Sequence, residues 1–485
     1  MNYTLEGHDL KHAVEEMLFH LLPTATLERD GQTDGDFCRS ILSEENGVAT
    51  ARALVCIDGV SREAERAAAV EGLSPLDRKR AVTEIIKMTV YDAVVPALPQ
   101  PPVWGSLTGV RPAKLARGLI ERGMSRGEAA SHLRERFFVS PERTALTIRA
   151  AATAMELDRE IGESDVSLYV GIPFCPSRCY YCSFVSATAA QSGHLIEPYL
   201  DTLCREIEET AALLRETGKR VQSIYIGGGT PTTLDEVQLA RLLDVLQTGF
   251  KFSNLREYTV EAGRPDTITA EKLRVMKAAG VNRVSINPQS MDDAVLAKIG
   301  RRHGAQDVLR AFAQARQAGF DEINMDVIAG LTGDTPHSFG TTIDTLIGLD
   351  PENITVHTLA IKRGADLTDK AAAAAERQKV SGMLDYAGHA LQTAGYGPYY
   401  LYRQKFTAGG FENVGWCKPG TECFYNVVMM EELGTILSLG AGGVSKRVDR
   451  DTGWIARVNN PKYPLEYIGA ADRLTAGKRK LLLPE

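Results

Sequence analysis

No apolar run in the chain approaches the roughly 20 residues that cross a bilayer, so no membrane-spanning helix is expected. The start, Met1 to Asp9, has neither a basic segment nor an uninterrupted apolar stretch; no secretory leader is expected, and the sequence reads as cytoplasmic. Cysteine is scarce, with 8 in 485 residues, which excludes a disulfide scaffold. Positive charge is not in excess either: 55 Lys and Arg face 62 Asp and Glu, a net charge of −7. That balance gives no global pull toward nucleic acid or an anionic membrane, and leaves any anionic ligand to a local basic patch. Internal repeats are absent, and the only low-complexity tract is the short Ala371–Ala375 run. What remains is an ordinary globular composition, 44% hydrophobic and 24% charged, in a chain long enough for two or three domains.

Three segments are expected. Residues 1–160 read as an accessory α+β domain. A helix over Leu10–Leu22 and strands near Phe37–Leu42 and Ala49–Ile57 precede helical stretches at Ser61–Val70, Pro75–Tyr91, Arg111–Glu121, Arg126–Phe137 and Pro141–Glu160. Pro96, Pro99, Pro101 and Pro102 make a stiff connector. From 161 to 397, apolar runs alternate with helical patterns about six times. The runs are Ser167–Phe174, Ser223–Ile226, Glu257–Glu261, Arg283–Asn287, Glu322–Ile328 and Asn353–Leu359. Strand then helix, repeated, is the signature of a parallel sheet, open or curled into a barrel. In a barrel the chemistry sits where strands end and helices begin. Residues 398–485, rich in aromatics and glycine, read as a strand with long loops able to cover that rim.

Directly after the first of these strands come Cys175, Cys179 and Cys182, spaced C-x3-C-x2-C. A structural zinc site closes with four protein ligands. A cubane iron–sulfur cluster held by three cysteines keeps one iron free for another ligand. No nearby fourth ligand follows, since Ser183 and Phe184 come next and His194 is a dozen residues on. Zinc, or three incidental thiols, is the bland alternative. Later strand ends are also marked: Gly227-Gly228-Gly229-Thr230-Pro231 after the second, Glu261 on the third, Gln289 after the fourth with Arg301 on the next helix, and Asp326 in the fifth. Consecutive glycines let backbone groups approach a ligand closely. An acid inside an apolar run needs a partner or a ligand.

The cysteine loop on the first strand of an alternating barrel resembles the radical S-adenosylmethionine superfamily. The resemblance implies a partial (β/α)6 TIM-type barrel with an N-terminal α+β domain and a C-terminal lid-like domain. It also implies a [4Fe-4S] cluster whose open iron is chelated by S-adenosylmethionine, and a 5′-deoxyadenosyl radical that abstracts hydrogen from substrate. Over about residues 165–400 the text is similar to the oxygen-independent coproporphyrinogen III dehydrogenase group (HemN/HemW-like). Leu107-Thr108-Gly109-Val110-Arg111-Pro112, Tyr402-Arg403-Gln404-Lys405 and Glu412-Asn413-Val414-Gly415 resemble its HemZ-type variant, which has an extra N-terminal domain. Carried across by position, Cys175, Cys179 and Cys182 would bind the cluster. Tyr169, Gly228, Gly229, Thr230, Glu261, Gln289, Arg301, Asp326 and Ala360 would contact S-adenosylmethionine, of which some members of the group hold a second molecule.

The implied reaction is oxidative decarboxylation of coproporphyrinogen III to protoporphyrinogen IX in haem biosynthesis, fed with electrons by a flavodoxin or ferredoxin. A flat anionic macrocycle needs cations and apolar walls; Arg178, Lys362, Arg363, Arg403 and Lys405 are the candidate bases, with Tyr169 as a platform. Two departures matter. The dehydrogenases carry a further cysteine where this chain has Phe184, a phenylalanine shared with the haem chaperones. Those chaperones carry a His-Asn pair for haem where this chain has Tyr425-Asn426. A haem chaperone, or a radical enzyme that methylates or opens a tetrapyrrole, are therefore the alternatives. Cys417 and Cys423 read as buried inert thiols or as ligands of an auxiliary site.

Overall fold

Two turns, Asn46-Gly47 and Asp58-Gly59, organise the first part of the chain. Both residues of each turn have positive φ (51° and 73°, then 52° and 76°), the geometry that closes a two-residue hairpin without splaying its strands. In the computed structural model they link β3 (Phe37–Glu45), β4 (Val48–Ile57) and β5 (Val60–Ala69) into an antiparallel meander. Ahead of it lie β1 (Asn2–Glu6) and β2 (Glu28–Arg29), giving the order β2-β1-β3-β4-β5. The segment Ser61–Val70, expected to be helical from its Ala, Glu and Arg content, is therefore the strand β5: ten ladder pairs with β4 outweigh a propensity of tenths of a kcal/mol per residue. The proline connector also holds one 3-10 turn, Val95–Ala97. Helices Lys11–Leu21 and Pro75–Val94 supply Val14, Met17, Leu18, Ile86 and Val90 to the core beneath this sheet.

The structure describes all residues except 24, 32–34, 183–186, 360–369, 405–409, 451 and 484–485, and omits the side chains of 370–375. The chain divides into two compact units. The first comprises Met1–Ile148, Ala360–Gln378 and Tyr402–Glu412; the second comprises Arg149–Leu359, Lys379–Leu401 and Asn413–Glu485. The first boundary thus falls inside helix Pro141–Asp158 rather than at residue 160.

The second unit is built on a parallel core. β6 (Asp165–Ile172) leads into a short parallel pair, β7 (Phe174–Cys175) and β8 (Ala187–Thr188). The alternation continues with β9 (Arg220–Gly228), β10 (Glu257–Gly263), β11 (Arg283–Ile286), β12 (Glu322–Ala329) and β13 (Asn353–Thr358). β6 and β9 to β13 lie side by side in chain order, all parallel. Helices such as Ile196–Glu216, Glu236–Gly249 and Pro336–Leu349 connect them. This is the partial (β/α)6 barrel that the alternation predicts. Its strands are buried on both faces, as helix-covered parallel sheets are. Helix Glu236–Gly249 starts at a reciprocal cap in which Asp235 and Gln238 satisfy each other's backbone N–H. It buries Leu239, Leu242, Leu243 and Leu246, each contributing roughly 1.5–3 kcal/mol.

The sheet does not close on itself. Beyond β13 it continues antiparallel through β15 (Glu412–Cys417) and β14 (Gly397–Arg403). On the other edge β16 (Thr435–Leu439) pairs parallel with β6, followed by β17 (Val444–Val448) and β18 (Ile455–Asn459). The described residues of 413–485 therefore extend the barrel sheet at both edges and among them form no sheet of their own. Among the described residues no helix is long and apolar enough to cross a membrane.

Candidate active site

The loop after β6 brings the three cysteines to the end of the parallel strands. Cys175 and Cys179 are buried and Cys182 is half-buried. The Gly-Gly-Gly-Thr turn after β9 is bolted to this loop: Gly229 N–H donates to Ile172 O and Thr230 N–H to Phe174 O, both at 2.8 Å. The Thr230 hydroxyl lies 3.6 Å from the Cys175 sulfur. A Cβ on Gly229 would meet that sulfur at 2.9 Å and Phe174 O at 2.6 Å, so only glycine leaves the thiol its room. Behind the loop, Arg264 reaches Ser177 and the Cys179 sulfur.

Among the described residues no three His, Cys, Asp or Glu side chains converge to hold a single metal ion. The donor set instead suits a sulfur-bridged cluster: three thiols on one loop, a hydroxyl and a guanidinium aimed at their sulfurs, and a glycine cradle beside them.

Among the described residues, the remaining strand ends carry polar atoms without partners. Gln289 has φ of 68°, a strained conformation for a side-chain-bearing residue. Its backbone is pinned on both sides of Asp326, accepting from Ile328 N–H and donating to Asp326 O. Its side-chain oxygen, the Asn287 side-chain oxygen, and Nε and Nη1 of Arg301 are buried without a hydrogen-bond partner. Such orphaned atoms are what a polar ligand satisfies. Arg301 lies after helix Asp293–Lys298, not on it, and its Nη2 donates to the Tyr181 hydroxyl at 2.7 Å. Tyr181, within the cysteine motif itself, escaped the sequence reading.

Glu261 sits on β10, accepting from the Tyr225 hydroxyl. Enclosure pushes its carboxyl up to about 7; Tyr225 and the Gly228 N–H oppose this, and the Asp326 charge adds to it. Asp326 behaves oppositely. Burial opposes its ionisation, but His357, Asn324 and Thr355 outweigh burial and hold its carboxyl below the usual range. His357 Nε2 stands 3.7 Å from Asp326 Oδ2. Burial disfavours the imidazolium, yet Asp326, Asn413 and Glu261 raise its pKa. His357 was missed by sequence analysis; the available signal was an imidazole at the end of the apolar run Ile354-Thr355-Val356-His357. Tyr169 completes the group, stacked with Tyr225 at 6.4 Å and Tyr425 at 6.2 Å.

The raised Glu261 pKa makes a prediction for the ligand-free protein. Between about 4.5 and 7 the native state holds a proton that the unfolded chain has released, so stability is lost as pH rises through that window. Glu261→Gln should remove this slope. In chemical denaturation its stability, relative to wild type, is expected to rise by up to about 3 kcal/mol between pH 4 and pH 8.5. A parallel pH profile for the two proteins would contradict it.

Other expected positions divide. Arg178 is exposed on the cysteine loop. Arg403 belongs to the first unit and is 5% exposed. Its Nε donates to Gly410 O at 2.7 Å, its Nη1 to Leu107 O, and its guanidinium stacks on Trp104 at 4.9 Å. The backbone joins in, Arg403 N–H donating to Val110 O at 2.8 Å. Two sequence motifs far apart in the chain thus interlock, with Nε and Nη1 of Arg403 donating to the carbonyls of Gly410 and Leu107. Cys423 donates to Glu257 at 3.4 Å. Burial raises the pKa of both Cys417 and Cys423, which suits inert thiols. Phe184, Ala360, Lys362, Arg363 and Lys405 lie outside the described residues.

Comparison with known proteins agrees with this geometry. Residues 169–346 match the model of the radical SAM superfamily. Over 387 residues the chain is 40% identical to the oxygen-independent coproporphyrinogen-III oxidase-like protein HemZ of Bacillus subtilis (strain 168), covering 78% of this chain and 77% of that protein. It is 41% identical over 198 residues to the heme chaperone HemW of the same organism, covering 40% of this chain and 51% of the chaperone. Among solved structures, coproporphyrinogen III oxidase (HemN) from Escherichia coli aligns with a TM-score of 0.52 at 26% identity, covering 66% of this chain and 72% of that one. The cysteine loop, the parallel strands that carry it and these likenesses agree: the chain belongs to the radical SAM superfamily and, within it, to the HemN/HemW-like group that includes HemZ.

Proposed function

We propose that this radical SAM enzyme oxidatively decarboxylates coproporphyrinogen III to protoporphyrinogen IX, turning two propionates into vinyl groups with loss of two CO2. The observation that carries the reading is the union of the cysteine loop with the glycine turn, facing strand ends whose buried polar atoms lack partners. Family membership implies a [4Fe-4S] cluster and S-adenosylmethionine, which together supply a hydrogen-abstracting radical.

In this reading Cys175, Cys179 and Cys182 hold the cluster. The backbone of Gly228 and Gly229 with Thr230 and Glu261 would receive the ammonium of S-adenosylmethionine. Gln289, Arg301 and Asp326 would take its carboxylate and hydroxyl groups, and the Tyr169 ring would form one wall. Arg178 is the described base offered to a propionate. Each decarboxylation would consume one S-adenosylmethionine and one electron from a flavodoxin- or ferredoxin-class donor, and the substrate radical would pass one electron to a one-electron acceptor as CO2 leaves and the vinyl group forms.

The similarity to HemW favours a second reading, haem handling without turnover. Against it weighs Tyr425-Asn426, the pair that the resemblance sets against the chaperones' His-Asn. The Tyr425 ring is buried and stacked on Tyr225 at 4.6 Å. Anaerobic incubation of the reconstituted protein with coproporphyrinogen III, reductant and S-adenosylmethionine separates the cases. Stepwise loss of two CO2, with two 5′-deoxyadenosines per product, is the expected result. Tight haem binding without turnover would establish the chaperone instead, and a methylated or linear tetrapyrrole would move the chemistry elsewhere.

A further inference from the structure

We propose that Arg264 is a positioning residue that sets the reduction potential of the cluster. Arg264 follows β10 and is 3% exposed. Its Nη1 donates to Ser177 Oγ at 2.8 Å and to Ser177 O at 3.1 Å, and lies 3.9 Å from the Cys179 sulfur. On the other side its Nε and Nη2 form a two-pronged pair with Asp266 at 3.0 and 2.9 Å. Asp266 in turn stands 3.6 Å from Nδ1 of His303, whose side chain is fully buried. The guanidinium is thus gripped from behind by a carboxylate and aimed at a cluster ligand through the cysteine loop.

Two consequences follow from charge and geometry. Arg264 ties Ser177, between the first two cysteines, to the end of β10, so the loop's shape is fixed before any iron arrives. It also places a permanent positive charge, with an N–H donor, against a thiolate whose electron density rises when the cluster is reduced. Reduction potentials of iron–sulfur clusters respond to net charge and to hydrogen bonds on their sulfurs. A buried cation here stabilises the reduced state, the one that must hand its electron to S-adenosylmethionine. The fork of Arg264 is held in one orientation by Asp266, a geometry that lysine cannot reproduce although it keeps the charge.

The inference rests on the cluster reading above, and its test separates the two. Wild type, Arg264→Met, Arg264→Lys and Asp266→Asn are reconstituted anaerobically, assayed for iron and sulfide, and titrated with dithionite under EPR detection. For Arg264→Met at full iron content, the reduced-to-oxidised ratio at fixed potential should fall at least tenfold, equal to about 59 mV for a one-electron couple. Arg264→Lys should lie within threefold of wild type, and Asp266→Asn should shift in the opposite direction to Arg264→Met. Should Arg264→Met fail to fold, the same fall in Arg264→Gln, which keeps a polar side chain without the charge, decides the question. An unshifted potential in a fully loaded Arg264→Met protein, or an unshifted or lowered one in Asp266→Asn, overturns the assignment of Arg264 alone. Failure of the wild-type protein to assemble any four-iron cluster overturns both readings.

Discussion

Cys179→Ala is expected to abolish S-adenosylmethionine cleavage, reducing it roughly a thousandfold or more, while the apoprotein keeps its fold. In the proposed reading each of the three thiols supplies one corner of a cluster that has no spare protein ligand in the motif. A thousandfold corresponds to about 4 kcal/mol of barrier, far beyond what removing one hydrogen bond to a sulfur would cost. Stability should move little, because Cys179 lies on an irregular loop rather than in a strand or helix. Cys38→Ala is the matched control. That thiol is also buried, but it sits in β3 of the first unit, where burial pushes its pKa up to about 12, so it has no call on iron. Iron content, visible absorbance and 5′-deoxyadenosine formation, measured together on the two variants, check the prediction. Equal iron and equal cleavage in both proteins would contradict the cluster assignment.

The second large effect lies away from the cysteines, at Lys478. Glu206, on helix Ile196–Glu216, is 2% exposed. It accepts from Gly440 N–H at 2.7 Å, Asn460 Nδ2 at 2.8 Å and the Tyr467 hydroxyl at 2.6 Å, and it pairs with the Lys478 ammonium. Lys478→Met leaves this carboxylate buried without its countercharge, an error that costs about 3–5 kcal/mol. The melting temperature should fall on the order of 10 °C. Adding Glu206→Gln should recover much of the loss, since the buried charge is then gone from both sides. Thermal denaturation of the single and double variants checks this; equal melting of wild type and Lys478→Met would show that the pair contributes nothing.

The network has a functional end as well. Gly440 is followed by Ala441, whose N–H donates to the Tyr199 hydroxyl at 2.8 Å, and Tyr199 donates to Gly171 O at 2.6 Å. Gly171 stands four residues before Cys175. The last helix of the chain, Leu474–Leu482, is thereby linked to the strand that launches the cysteine loop. Loss of Lys478 should accordingly speed iron release from the reconstituted protein along with lowering its melting point.

What could be read from residues alone was whatever local spacing decides. The C-x3-C-x2-C loop is a short-range arrangement, and six apolar runs separated by helical patterns specify a parallel sheet by their period. Both survive in the structure as the barrel from β6 to β13. The hairpin at Asp58-Gly59 was equally local and still misread, because Ser61–Val70 carries helix-forming residues whose preference is worth less than pairing with β4. His357 and Arg264 were out of reach for a different reason. Each owes its role to partners far off in the chain: Asp326 and Asn413 on other strands for the histidine, Cys179 and Ser177 on the cysteine loop for the arginine. Arg403 shows the converse. A basic residue in a motif reads as a ligand for anions, and the fold adds that its Nε and Nη1 donate to Gly410 and Leu107.

The sequence by itself determined the cluster loop, the parallel alternation and the family, since each is encoded in neighbours along the chain. Only the tertiary structure decided which polar atoms are left unsatisfied at the strand ends, which cation faces a sulfur, and that the C-terminal segment extends the barrel sheet at both edges. Those outcomes depend on distances between residues tens to hundreds of positions apart, and on burial, which turns an ordinary charge into one that must be matched.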